Sequence, residues 1–217
     1  MQIKLALIFL LFFSSCYSKL ENEQFKLQIG DFLFQDLDSS PLCEAIEIVT
    51  PGYKNGNFSH VGIVIDISDS TYILEAIPDK VKKTNLHQFL NRSFDNNNQP
   101  KVIVGRLKKE YQFTIDDAII FLKSKIGHNY DDQFLLNNDS YYCSELIYEA
   151  FEKNNIFELK PMTFLNPLNN DTLEIWKEYY QNLNIDIPEK ELGINPGIMS
   201  ISNKIDIIKI YGKPDGM

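Results

Sequence analysis

The run Val61–Gly62–Ile63–Val64–Ile65–Asp66–Ile67 is dense in β-branched residues, which fit a pleated strand better than a helix. Ser68–Asp69–Ser70 has turn composition and 71–77 is a second apolar run, so the two runs form an antiparallel hairpin. Val61, Ile63, Ile65 and Ile67 alternate to one face, which leaves His60 and Gly62 on the other. A glycine beside a histidine on the less apolar face marks a place where something approaches closely.

Further strands are expected at 30–35 and 101–107, and helices at 41–48 and from Thr114 to a stop at Gly127. Residues 81–94 are mixed, with a short helix around 86–90. A helix starting near Cys143, capped by Asp139 or Ser140, turns Cys143, Leu146, Ile147, Ala150 and Phe151 inward at helical spacing. Residues 176–183 are another amphipathic piece, and 196–210 carry no clear pattern. With 217 residues, 44% of them hydrophobic, the chain builds one core and is marginal for two. One α+β domain is expected. The net charge of −9 excludes nucleic acid and electrostatic docking on anionic lipid.

The N-terminus reads as a targeting segment. Lys4 precedes an apolar stretch, 5–13, too short to span a bilayer. Phe13–Ser14–Ser15–Cys16 then resembles a lipobox, with Phe13 in place of the usual leucine. The expected organisation is a lipoprotein signal peptide at 1–15, a tether at 16–26 anchored to the membrane through acylated Cys16, and a domain at 27–217 in the cell envelope. Ordinary cleavage, giving a secreted or periplasmic protein, is the alternative. Export would permit a Cys43–Cys143 disulfide, but that bond would silence the best nucleophile, and Cys43 is read as a small buried apolar residue.

A thiol is nucleophilic as a thiolate, and a helix N-terminus with a nearby imidazole lowers a thiol's pKa. Cys143 is therefore the candidate nucleophile and His60 the candidate base. Glu75, a carboxylate in an otherwise apolar strand, is the candidate third member that fixes the imidazole. If residue 67 pairs with residue 70, Glu75 falls opposite Gly62 and diagonal to His60; a one-residue slip turns it away. Asp31 competes as the orienting group. Tyr130, Asp131 and Tyr142 are candidate pocket residues, and the Cys143 amide a candidate oxyanion donor. There is no phosphate loop, no Gly-x-Ser-x-Gly elbow and no histidine pair with zinc spacing, so neither cofactor nor metal is expected.

Six segments occur in order: Gly30–Asp31–Phe32–Leu33–Phe34, His60–Val61–Gly62–Ile63–Val64, Leu74–Glu75–Ala76, Val104–Gly105–Arg106–Leu107, Gly127–His128–Asn129–Tyr130–Asp131 and Tyr141–Tyr142–Cys143–Ser144–Glu145–Leu146. Together they resemble the YiiX/YebB-like cysteine hydrolases, the circularly permuted branch of the NlpC-type, papain-like superfamily. The likeness covers about residues 28–151, and His128 departs from the proline or small residue usual before the Tyr-Asp pair. It implies an α+β fold in which a cysteine helix packs on an antiparallel sheet or barrel, with Cys143 as nucleophile, His60 as base and Glu75 as third member. It also implies an amidase or peptidase acting on cell-wall peptides. The alternatives are an acyl-lipid hydrolase or acyltransferase and a non-catalytic binding lipoprotein.

Overall fold

The computed structural model describes residues 25–217. The expected leader, Cys16 and most of the tether lie outside the described residues. In chain order the elements are β1 (Phe32–Gln35), α1 (Pro41–Val49), β2 (His60–Asp66), β3 (Tyr72–Ile77), β4 (Lys80–Asn85), α2 (Leu86–Leu90), β5 (Val102–Leu107), α3 (Ile115–Ser124), α4 (Cys143–Phe151), β6 (Lys160–Pro161), α5 (Glu174–Leu183), β7 (Leu192–Gly193), α6 (Pro196–Ser200) and β8 (Ile205–Ile210).

Six strands make one antiparallel sheet in the order β4-β3-β2-β1-β5-β8, and β6 and β7 pair separately. The sheet is open, with β4 and β8 as its edges, so of the two expected forms it is the sheet and not a closed barrel. β4 accounts for the first five residues of the mixed segment 81–94. Its Lys80, Lys82 and Lys83 are exposed, and such charges guard an edge strand against further pairing while erasing its alternation. The unpatterned stretch 196–210 resolves into α6 and β8.

Both sheet faces are covered, which explains why β2 reads as a nearly continuous apolar run. On one face Phe32, Phe34, Val61, Ile63 and Leu74 pack against Leu122 of α3 and Leu146, Ile147 and Phe151 of α4. On the other, Leu33, Val64, Ile73, Val102 and Val104 lie under Phe89 of α2. A satellite cluster joins Ala45 of α1 to Phe164 and to Trp176 and Tyr180 of α5.

The α4 stripe is as expected, with Ala150 half-buried. Its cap is not. Tyr142 stands at the N-cap, which puts Asp139 and Ser140 too early, and Glu145 instead accepts the Tyr142 N–H at 3.3 Å. Cys43 is also corrected: it is a half-buried free thiol in the first turn of α1, 3.4 Å from the Ser39 and Ser40 hydroxyls. Cys143 is free as well.

The last residues are tied to the centre of the sheet. Lys101 Nζ lies 3.1, 2.6 and 3.1 Å from Asp36, Asp38 and Asp215. The Asp215 N–H donates to Asp36 at 2.7 Å, and the Asn57 N–H donates to the Asp215 carbonyl at 2.8 Å. Met217 packs over Gly56.

Gly62 lets two layers meet. A Cβ there would stand 2.5 Å from Ile73 Cγ2 and 3.0 Å from Phe89 Cε2. Gly62→Ala is expected to cost about 1–3 kcal/mol by overpacking, read as a lower urea midpoint; an unchanged midpoint would refute this packing.

Candidate active site

His60 opens β2 and Glu75 lies in β3. Ile63 pairs with Leu74 and Val64 with Ile73; continued toward the strand start, this register sets Glu75 beside Gly62 and diagonal to His60. That is the register expected from a 67–70 pair, although a bulge between Val64 and Asp66 brings Asp66 opposite Tyr72 and lengthens the turn. His60 Nε2 lies 2.7 Å from Glu75 Oε2, and the residues are 5% and 1% exposed. With Nε2 engaged by Glu75, Nδ1 is the ring nitrogen left for a partner on the other side. Cys143 is close enough to the ring for its sulfur to raise the imidazole's pKa.

The three side chains come from different layers. Cys143 belongs to the cluster of the α4 face. Glu75 and His60 share the parity of the α2 face, where the His60 ring stacks 5.7 Å from Phe89. His60 is the first residue of its strand, so its ring stands where the two layers meet past the strand end.

A buried carboxylate needs compensation, and Glu75 has more than His60. Arg92, just after α2, donates through Nη1 to Oε2 at 2.7 Å and through Nη2 to Oε1 at 2.5 Å. Thr84 Oγ1 of β4 donates to Oε1 at 2.5 Å. The Arg92 guanidinium also sits 5.1 Å from the Phe89 ring centre. Burial pushes the Glu75 carboxyl up, but Arg92 and His60 outweigh it and hold the group well below the usual carboxylate range. Burial likewise disfavours the His60 imidazolium, yet hydrogen bonds and charge from Cys143 and Glu75 prevail and push the ring up to about 9. Arg92 and Thr84 were not singled out from the sequence. The usable signal was the rule that a carboxylate in an apolar strand requires a cation, and Arg92 is one of few in 81–94.

Cys143 opens onto a cleft whose lining includes Ile46, Val49, Phe134, Met162, Phe164, Trp176 and Ile198; among the described residues Lys160 is its only charged lining residue. The neighbours of Cys143 grip one wall of this cleft. Ser144 Oγ donates to the Ile194 carbonyl at 2.9 Å, and the Ile194 N–H donates to Tyr142 Oη at 3.3 Å.

Of the expected pocket residues, Tyr130 and Tyr142 line the cleft. Burial raises the Tyr130 hydroxyl well above its ordinary range, with charge on Cys143 adding to the shift. Asp131 acts from behind: its carboxylate accepts the Gln133 and Leu135 N–H groups at 2.8 Å each, shaping the loop that carries Phe134 into the lining. Asp31 does not join the group. Its carboxylate is engaged by Arg106 Nε at 2.6 Å and by the Gln28 N–H at 2.7 Å, so the competing orienter is a structural ion pair. His128 faces Asp139 and meets the Tyr141 ring edge-on.

A strand histidine held by a carboxylate, with a cysteine at a helix tip later in the chain, is an arrangement that fits a permuted papain-like fold. The chain belongs to the permuted papain-like amidase family YaeF/YiiX, C92, whose model matches residues 26–204. It is 27% identical over 125 residues to the uncharacterized protein YiiX of Escherichia coli K12, a match covering 58% of this chain and 57% of that protein. The chain thus spans little more than half of that relative's length. A crystal structure described as the metalloprotein yiiX from Escherichia coli O157:H7 superposes with a TM-score of 0.71 at 22% identity, over 87% of this chain and 99% of that one. That likeness shows the fold.

The raised His60 value has a sign that can be measured. A group raised from about 6.5 in the unfolded chain to about 9 in the fold adds stability in full below pH 6.5 and loses it as pH climbs through 9. The stability difference between wild type and His60→Gln should therefore shrink by roughly 2–3 kcal/mol across that window. A pH-independent difference in urea unfolding would contradict the assignment.

Proposed function

We propose that the protein hydrolyses an amide bond through a thioester on Cys143, with His60 as proton shuttle and Glu75 as the group that orients it. The observation that carries this is His60 bonded to Glu75 at 2.7 Å, with Cys143 near enough to shift the ring and itself lining a cleft. The Cys143 sulfur adds to the substrate carbonyl. The C–N bond then breaks as the His60 imidazolium gives its proton to the leaving amine. In the second half, His60 takes a proton from water as the water oxygen attacks the thioester. The carboxylic product leaves, and sulfur and imidazolium return to their first state. The Cys143 N–H at the start of α4 and the Tyr130 hydroxyl, which burial keeps protonated, are the donors proposed for the oxyanion.

Two substrate classes suit this chemistry. A cell-wall peptide follows from the NlpC-type relationship and from the leader-like residues 4–16, which support a lipid-anchored position in the envelope. The second reading, an acyl-lipid amide or ester, is favoured by the cleft itself: an apolar chain matches most of its lining, whereas a peptide rich in carboxylates meets, among the described residues, one charged side chain, Lys160.

The metal named in the description of the Escherichia coli O157:H7 protein does not carry over to a ligand set here. Among the described residues, Asp36, Asp38 and Asp215 are grouped closely enough to hold an ion. They already surround the Lys101 ammonium at 2.6–3.1 Å, so these residues do not fit a resident metal, and no step is assigned to one.

Cys143→Ala should abolish hydrolysis, by at least about 10³-fold, with little change in melting temperature. Purified muropeptides and N-acyl or phospholipid substrates, assayed side by side, separate the two classes: release from muropeptides alone supports the first, and faster acyl release supports the second. Full activity in Cys143→Ala would remove both.

A further inference from the structure

We infer that Arg92 is a positioning residue for the reacting pair, the counter-charge that lets a buried glutamate and a buried cysteine be anionic together around one imidazolium. This rests on the reading of Cys143 and His60 given above and extends it to a residue that touches neither.

The argument is one of charge balance in a water-poor site. His60, Glu75 and Cys143 are 5%, 1% and 7% exposed. In the reactive state the site would hold a thiolate, an imidazolium and a carboxylate, a net charge of −1 that burial opposes. Arg92 brings the sum to zero. It does so with a two-pronged grip on both Glu75 oxygens, one of which, Oε2, is the oxygen that holds His60. The grip therefore fixes the carboxylate plane and with it the imidazole. The guanidinium is itself held over Phe89, the residue that stacks on His60.

The other ionisable groups around the set do not duplicate this role. Lys82, paired with Glu75 across β3 and β4, is exposed, and so is His87 on α2. On the Cys143 side, Tyr130 stays protonated and Glu145, in the first turn of α4, is pushed by burial up to about 8.

Removing a positive charge favours proton binding at every nearby titrating group, whichever group it is. Arg92→Gln should thus move both the acid-side midpoint of Cys143 alkylation and the His60 ring titration to higher pH, each by on the order of one unit. Glu75→Gln should move both down. Arg92→Lys, which keeps the charge without the fork, should leave both near wild type. Alkylation is followed with iodoacetamide at the Cys143 peptide by mass spectrometry, and the ring by NMR, assignable because the chain has three histidines.

Midpoints unmoved in a folded Arg92→Gln protein, or moved equally in Arg92→Lys, would overturn the inference. If Arg92→Gln does not fold, the same shift is sought between Glu75→Gln and the Glu75→Gln/Arg92→Gln double variant, which leaves no orphaned charge; its absence there is equally decisive. A wild-type Cys143 inert to iodoacetamide near neutral pH would sink the hydrolase reading instead, while the His60 titration would still test Arg92.

Discussion

A carboxylate with 1% of its surface exposed cannot stay charged in a protein interior unless its neighbours are arranged around it. Glu75 is that carboxylate, and much of the architecture can be read as its surroundings. The β2–β3 register brings His60 to one oxygen, β4 supplies the Thr84 hydroxyl, and the chain leaving α2 supplies Arg92. Phe89 closes the assembly from above by contacting His60 and Arg92. Loss of one partner would leave the rest buried and uncompensated, which is why the hairpin, its edge strand and a five-residue helix behave as one unit.

Cys143 arrives from elsewhere. α4 packs on the opposite sheet face, and its tip meets His60 at the strand end. The sheet thus separates two jobs: one layer holds and charges the imidazole, and the other carries the sulfur and the cleft. The cleft belongs mostly to residues after α4, folded back as β6, α5, β7 and α6. Ser144 and Tyr142 lock Ile194 in that wall, so the residues flanking the sulfur also fix the wall of the cleft it faces.

How legible this was in the sequence varies with the kind of interaction. β2 and β3 were legible as runs of β-branched and apolar residues covered on both faces, and the α4 stripe as helical periodicity toward a single layer. The Glu75–His60 pairing was readable because register in a short hairpin is arithmetic, and the bulge near the turn did not disturb it farther along. β4 escaped because an edge strand keeps lysines where a buried strand keeps valines. The α4 cap was misplaced because Glu145 reaches backward to Tyr142, a capping geometry that offers no upstream serine or aspartate. Glu75 was preferred to Asp31 on register and apolar context, but the cations that separate the two acids, Arg92 and Arg106, lie 17 and 75 residues away from them. The cleft wall was illegible because its residues become neighbours only when the chain after 156 turns back.

The knot around Lys101 carries a practical corollary. Asp215 is fastened to Asp36 and Asn57, and Met217 lies over Gly56, four residues before His60. Any fusion partner or affinity handle appended after Met217 would emerge from this fastening, where it could pry at the strand that presents the imidazole. Recombinant work is better served by handles placed ahead of residue 25.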